Sequence, residues 1–339
     1  MRVAVCILAK DEARSIAILI AQLAGQSLFL RQDVTIDVHL VANGCTDNTA
    51  ATAKGAEAHF AGSNARLIVH DLPQGGKSRS WNRAVHELTV PEPDYFLFLD
   101  SDITLLGPGV LQDLLSTLEA APSAMACSGH PVKDIHSKQR KSVLDLFSLS
   151  VSRQSRADGA INGSLYLVRA AALRDIWLPD QTPGEDGFLN AMLTTRGFTR
   201  EPDAALVRSM DQPTHQYRAH DAGTFGLHER RMIVGTMINR WIFEHLWSLE
   251  LKEPAGLLVR DWNERQPDWV DQLVAEKTRE KAWVIPNAIL FGRLASLKDV
   301  SWRKRPLRLA SGLAATMLTV PPAIAANRRL KQLGASSTW

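Results

Sequence analysis

Through the first hundred residues, short runs of Val, Ile, Leu and Phe alternate with longer segments in which apolar residues recur at helical spacing. The runs fall at residues 3–8, 35–41, 66–70 and 95–99, and the helical patterns at about 15–26, 47–58 and 77–88. Near-continuous apolar runs are what strands buried on both faces require, and strands separated by helices predict a parallel sheet covered on both sides. The expected fold class is α/β. From about residue 225 the pattern changes to helices rich in Trp and Arg, with loop signals at 253–256. A loose boundary near residue 245 divides the chain into an α/β domain over 1–245 and a helical extension over 246–339. The sequence contains no internal repeat and no low-complexity segment.

Polar clusters sit where the strands should end. Lys10, Asp11 and Glu12 follow the first run, "ANGCTD" the second, "DLPQGGK" the third and "DSD" the fourth. In open parallel sheets ligands bind beyond the carboxyl ends of the strands, so four loops are expected to converge on one rim.

With 339 residues, 45% of them hydrophobic, the chain can build a genuine core, which excludes disordered and fibrous classes. A net charge of +3, from 39 Lys and Arg against 36 Asp and Glu, gives no reason to expect nucleic acid as a partner. Cys6, Cys45 and Cys127 are far apart and suggest neither a disulfide framework nor a zinc site, which fits a reducing compartment. The N-terminal apolar run meets charge at Lys10, too early for a secretory signal, so it reads as a first strand and the protein as cytoplasmic. No uninterrupted segment reaches the roughly 18–20 apolar residues of a membrane span. The nearest approach, 309–326, contains Ser311, Gly312, Pro321 and Pro322.

The candidate chemistry lies in two carboxylate pairs. Asp100 and Asp102 end the most apolar run, "DYFLFLDSD", and at i and i+2 of an extended segment they reach the same side. Oxygen ligands so placed suit Mg²⁺ or Mn²⁺; a solvated turn or helix cap is the plainer alternative. Paired carboxylates beside a core cost energy unless something neutralises them, which favours the metal. Glu185 and Asp186 open a second helical run at 188–195. Acids in a first turn complement the helix dipole and need no catalytic role on that ground alone.

The order of these motifs resembles family 2 glycosyltransferases of the GT-A fold. "VCILAKDEA", "LVANGCTDNT", "GGKSRSWNRAV", "FLFLDSD", "INGSLYLVRAAAL" and "PGEDGFLNAMLTTRGF" match that family's segments in sequence, over about residues 1–210. The resemblance implies a metal-dependent, inverting hexosyl transfer from a nucleotide-diphosphate sugar. Asp102 would bind the metal, and Asp100 would contact the nucleotide ribose or a metal-bound water, with Ser101 between them in the nucleotide-binding set. Lys77 would place a positive charge near the nucleotide or its phosphates, while Asn82 on the same helix reads as a polar helix-face residue. Ala9, Asp11, Glu12 and Asn43 would form the base-binding edge. Many relatives carry two acids where this chain has Ala42 and Asn43, which weakens the inference to a particular base; uridine is the first expectation. Asp186 would be the general base, supported by Glu185. "HERRMIVGTMINRW" places His228, Arg230 and Arg231 either toward the diphosphate or on a polar helix face. His215, His220 and His228 compete as a further metal ligand.

After Asp299 the chain has no acidic residue, and Arg303, Lys304, Arg305, Arg308, Arg328, Arg329 and Lys331 flank an apolar stretch. Such a segment suits a membrane interface or a helix docked on the domain. A membrane location, peripheral on the inner face of the cell membrane, would make the acceptor lipid-linked, in cell-surface glycan or glycolipid synthesis; otherwise a soluble saccharide fits equally. Two other readings compete: a catalytically silent relative acting as a membrane-bound assembly partner, and a sugar-phosphate nucleotidylyltransferase. The latter's basic phosphate loop is missing, since "AKDEARS" is acidic at that place.

Overall fold

The computed structural model describes residues 1–137, 159–218, 222–295 and 305–332. Four parallel strands build its centre: β1 (Arg2–Ala9), β2 (Thr35–Asn43), β3 (Ala65–Leu72) and β4 (Tyr95–Asp100). They are joined by α1 (Ile16–Ala24), α2 (Thr49–Gly55) and α3 (Lys77–Arg83). Each element lies within a few residues of the expected run. The seven-stranded sheet has the order β3-β2-β1-β4-β8-β6-β9. Its second half comprises β6 (Ala126–Ser128), β8 (Leu165–Arg169) and β9 (Val207–Ser209), with β8 antiparallel to both neighbours. A small second sheet pairs β5 (Thr104–Leu105), β10 (His215–Tyr217) and β7 (Pro131–Lys133).

β1 shows why the apolar runs are continuous. Val3, Val5 and Ile7 face α1, α2 and α4 (Val110–Glu119), whereas Ala4, Cys6 and Leu8 face the opposite helical layer. The period-two alternation of a strand thus feeds two cores, each Leu or Ile buried contributing about 1.5–3 kcal/mol. The second layer contains α3 and α5 (Glu185–Thr194). It continues through α6 (Ala222–Ser248), α7 (Gly256–Arg265), α8 (Trp269–Thr278) and α10 (Arg305–Gln332), with α9 (Asn287–Ala295) packed on α10. One apolar cluster runs from Ala4 through Ile238 and Val274 to Leu330. The helices after residue 245 therefore share a core with the sheet.

The chain passes from β1 outward to β3 and returns on the other edge of β1 as β4. Loops leaving β1 and β4 diverge, and the crevice between them is the switch point at which such sheets bind ligands.

Two buried histidines are held neutral. His39 stacks on His70, with Nδ1 3.0 Å from Nε2, and burial followed by repulsion from His70 pulls it down to about 4. His215 is pulled to about 4 by burial and then by His130. Asn82, also buried, reads both sides of a neighbouring segment: its Nδ2 donates to the Leu178 carbonyl (2.8 Å) and Asp180 (3.0 Å), and its Oδ1 accepts from the Leu178 amide (2.8 Å). The expectation of a plain helix-face residue is corrected here: Asn82 ties α3 to the segment leading into α5.

Two stability predictions follow. Between about pH 6.5 and 4 the unfolded chain takes up protons that folded His39 and His215 exclude, so stability should fall as pH drops through that window. Urea unfolding at a series of pH values should show this slope, and His39→Leu should flatten it. Asn82→Ala leaves the buried Leu178 amide without an acceptor and should cost about 1–3 kcal/mol in the same assay.

Candidate active site

The rim of the switch point is organised around one lysine. Lys77 is the first residue of α3 and follows Gly76, whose φ of +134° is a conformation that L side chains rarely adopt. Its Nζ lies 2.8 Å from Asp100 Oδ1, at the end of β4, and 2.7 Å from Glu185 Oε1, in the first turn of α5. Burial alone would lower the ammonium's pKa, but the two carboxylates hold it well above the ordinary lysine value. Beneath the bridge Leu8, Trp81, Phe98 and Tyr166 line a recess that Gly163 also borders. Trp81 Nε1 donates to the Tyr166 hydroxyl at 2.9 Å, and Phe98 stacks on each of the two rings.

The loops after β1 and β2 form the other wall. Asp11 sits at φ +55°, and its Oδ1 accepts from the amide (2.6 Å) and hydroxyl (3.1 Å) of Thr46, which hold its carboxyl below the usual range. Asp47 accepts from the amides of Ala13 (3.1 Å) and Thr49 (2.9 Å). Cys45 Sγ reaches the Ala9 carbonyl at 3.3 Å. Asn43 is buried, its Oδ1 accepting from Ser80 Oγ at 2.8 Å. At Gly44, with φ +61°, an added Cβ would lie 2.6 Å from the Gly75 amide nitrogen, so only glycine lets this loop meet the turn that presents Lys77.

Negative charge accumulates between these walls. The Glu12 carboxyl is pushed up by burial and further by Asp102, Asp47 and Asp100, against the stabilising hydroxyl of Ser15. Ser101 is buried and Asp102 exposed at the mouth. Among the described residues, the one group of three candidate ligands whose atoms lie within 4.8 Å of one another is Asp11, Cys45 and Asp47. Both of its carboxylates already accept backbone amides, so the group's evident work is to tie the two loops together.

Asp186 stands beside Glu185 on α5. Its Oδ1 accepts from the Gly187 amide at 2.8 Å, and its carboxyl is raised by burial and then by Glu185, with Lys77 opposing. The turn that carries it is clamped by Asn239 of α6, which sequence reading missed. Asn239 Nδ2 donates to the Gly184 carbonyl (2.7 Å), and its Oδ1 accepts from Thr182 Oγ1 (3.1 Å). A Cβ at Gly184 would fall 2.7 Å from that Nδ2. The signal available in the sequence was an Asn directly after the apolar pair Met237 and Ile238.

The structure thus brings Lys77, Asp100 and Glu185 into direct contact, sets Asp186 beside them, and gathers Glu12, Asp102 and the Asp11 loop around the same crevice. His215 is fully buried, with Nδ1 2.8 Å from Thr214 Oγ1 and Nε2 2.6 Å from Ser164 Oγ, so both nitrogens are engaged by hydroxyls. His228 is half-buried, and Arg230 and Arg231 are exposed, on the first half of α6. His220 lies outside the described residues.

The model of the family described as "Glycosyl transferase family 2" matches residues 4–178. No curated protein matches the chain. Among solved structures, the mannosyltransferase PcManGT from Pyrobaculum calidifontis, in complex with GDP-Man and Mn²⁺, superposes with a TM-score of 0.50 at 18% identity, covering 94% of this chain and 86% of that one. Glucosyl-3-phosphoglycerate synthase from Mycobacterium tuberculosis, in complex with Mn²⁺, UDP-Glc and phosphoglyceric acid, gives 0.49 at 16% identity, over 70% of this chain and 79% of that one. The sheet and its helical layers share the fold of that mannosyltransferase, and with more than half of its length matched by the family model the chain belongs to glycosyl transferase family 2.

Proposed function

We propose that the protein transfers a sugar, with inversion, from a nucleoside-diphosphate donor to a saccharide or lipid-linked acceptor, and that this serves cell-surface glycan or glycolipid synthesis on the cytoplasmic side. The observation that carries this reading is the convergence of two carboxylate pairs, Asp100 with Asp102 and Glu185 with Asp186, on either side of Lys77. One pair suits a donor and the other an acceptor.

In this reading Ala9, Asp11, Glu12 and Asn43 line the nucleotide, with Ser101 at the diphosphate end. Ser80 donates to Asn43 Oδ1, which leaves the Asn43 amide hydrogens for a base carbonyl, compatible with the uracil of a UDP-sugar. The acidic rim fits a hard divalent cation: Asp102 and Asp100 supply carboxylate oxygens, and both lie close enough to add to the effect of burial in pushing the Glu12 carboxyl up. When bound there, Mn²⁺ or Mg²⁺ would neutralise charge developing on the departing diphosphate. Lys77 holds Asp100 and Glu185 in place, the latter beside Asp186. Asp186 takes the proton from the acceptor hydroxyl as that oxygen attacks the anomeric carbon in line with the leaving group. A carboxyl raised above the ordinary range is a stronger base for that task.

Calorimetric titration of UDP, GDP and dTDP with and without Mn²⁺ should show metal-dependent binding of one nucleotide, UDP first, lost in Asp102→Ala. Binding of none of them by folded protein would overturn the reading. Asp186→Asn should lower kcat by about 10²–10⁴-fold while leaving nucleotide affinity intact. The acidic limb of the wild-type rate profile should lie above the ordinary aspartate range, because activity requires deprotonated Asp186. Removing the neighbouring charge with Glu185→Gln should move that limb to lower pH.

A further inference from the structure

The C-terminal helix α10 is docked on the enzyme by one side and apolar on the other. Thr319, Ala323, Ala326 and Leu330 are buried, and α10 packs along α6. Thr316 Oγ1 donates to the Leu290 carbonyl of α9 at 3.2 Å, and Asn327 exchanges bonds with the Val284 amide (2.8 Å) and the Ala282 carbonyl (3.1 Å). These polar contacts fix the rotation of the helix about its axis. With the rotation fixed, Leu309, Leu313, Met317, Val320 and Ile324 face outward, 46%, 45%, 73%, 36% and 40% exposed. At 3.6 residues per turn the five positions fall within an arc of about 80° and extend for about 22 Å. A stripe of large aliphatic side chains of that length is unusual on a surface with nothing to cover it.

The charge around the stripe selects its occupant. After Asp299 the chain carries seven Lys and Arg and no acidic residue. Exposed Arg328 and Lys331 stand one to two turns beyond Ile324 on the same side of the helix. A second copy docked stripe to stripe would bring like charges together, whereas an anionic lipid surface complements them. No helix among the described residues is long and apolar enough to cross a membrane. An amphipathic helix of this kind lies in the interface plane instead, its apolar side among acyl chains and its basic residues at the headgroups.

We infer that α10 seats the enzyme on an anionic bilayer through Leu309, Leu313, Met317, Val320 and Ile324, without leaving its place in the fold. This attachment is independent of the transfer reaction proposed above. The test is co-sedimentation of the full chain with phosphatidylcholine vesicles containing phosphatidylglycerol, against phosphatidylcholine alone, for the wild type, Leu313→Glu/Met317→Glu and Arg328→Glu/Lys331→Glu. The wild type should pellet with the anionic vesicles. Each double variant should weaken partitioning about tenfold or more, the charge variant at roughly 1 kcal/mol per basic residue near the surface, with an unchanged thermal unfolding midpoint because these side chains are exposed. Wild-type protein that stays in the supernatant, or a glutamate stripe variant that pellets equally well, would overturn the inference. So would a wild-type dimer in light scattering that the stripe variant converts to monomer, since it would show a second copy as the occupant.

Discussion

The Lys77 ammonium is the pin on which the crevice depends. It is drawn from a glycine-led turn after β3, yet its two partners belong to the end of β4 and the start of α5, so a single charge joins three elements that are distant in the chain. Burial opposes that charge and only the paired carboxylates make it affordable, which means the ion group stands or falls as a whole. The same contact sets the spacing between the two acid pairs, and spacing is what separates a reactive arrangement from an assembly of surface acids.

Around this pin the fold relies on amide side chains together with the Arg79–Asp180 ion pair at 3.3 Å. Asn82 and Asn263 both donate to the Leu178 carbonyl at 2.8 Å, from α3 and α7 respectively, while Asn239 reaches Gly184 from α6. Each offers a donor and an acceptor at fixed separation, so each can hold a turn that has no secondary structure of its own. The segment carrying Glu185 and Asp186 is therefore fixed from the helices on either side of it, and the close approach at Gly184 leaves it little room to shift.

Much of this was legible in the sequence where local pattern and tertiary role coincide. The runs that became β1, β2 and β4 are buried on both faces and the edge strand β3 is half-buried, so apolar continuity announced them, and the polar residues at their ends announced the rim. β6, β7, β9 and β10 did not show, because each spans three residues and leaves no period to read. The acids were visible as pairs. What the sequence could not display is that Lys77 would choose Asp100 and Glu185 as partners, or that Asn239, one of many polar residues on α6, would hold the turn before α5. Those facts depend on the approach of α6 to α5, which no local pattern encodes. The seating of α10 lay beyond sequence reading for a related reason: the pattern marked its apolar and basic content, and only packing decides which side faces out.

The single apolar cluster that runs from Ala4 to Leu330 has a consequence for how the molecule comes apart. A chain whose first strand and last helix share one interior has no seam at which the second helical layer could melt while the crevice persists. Loosening α10 would uncover part of α6, the helix that carries Asn239, so that its fraying is transmitted to the acid pair on α5 as a loss of order. Opening of the tail and disarming of the crevice are, in this architecture, one cooperative event.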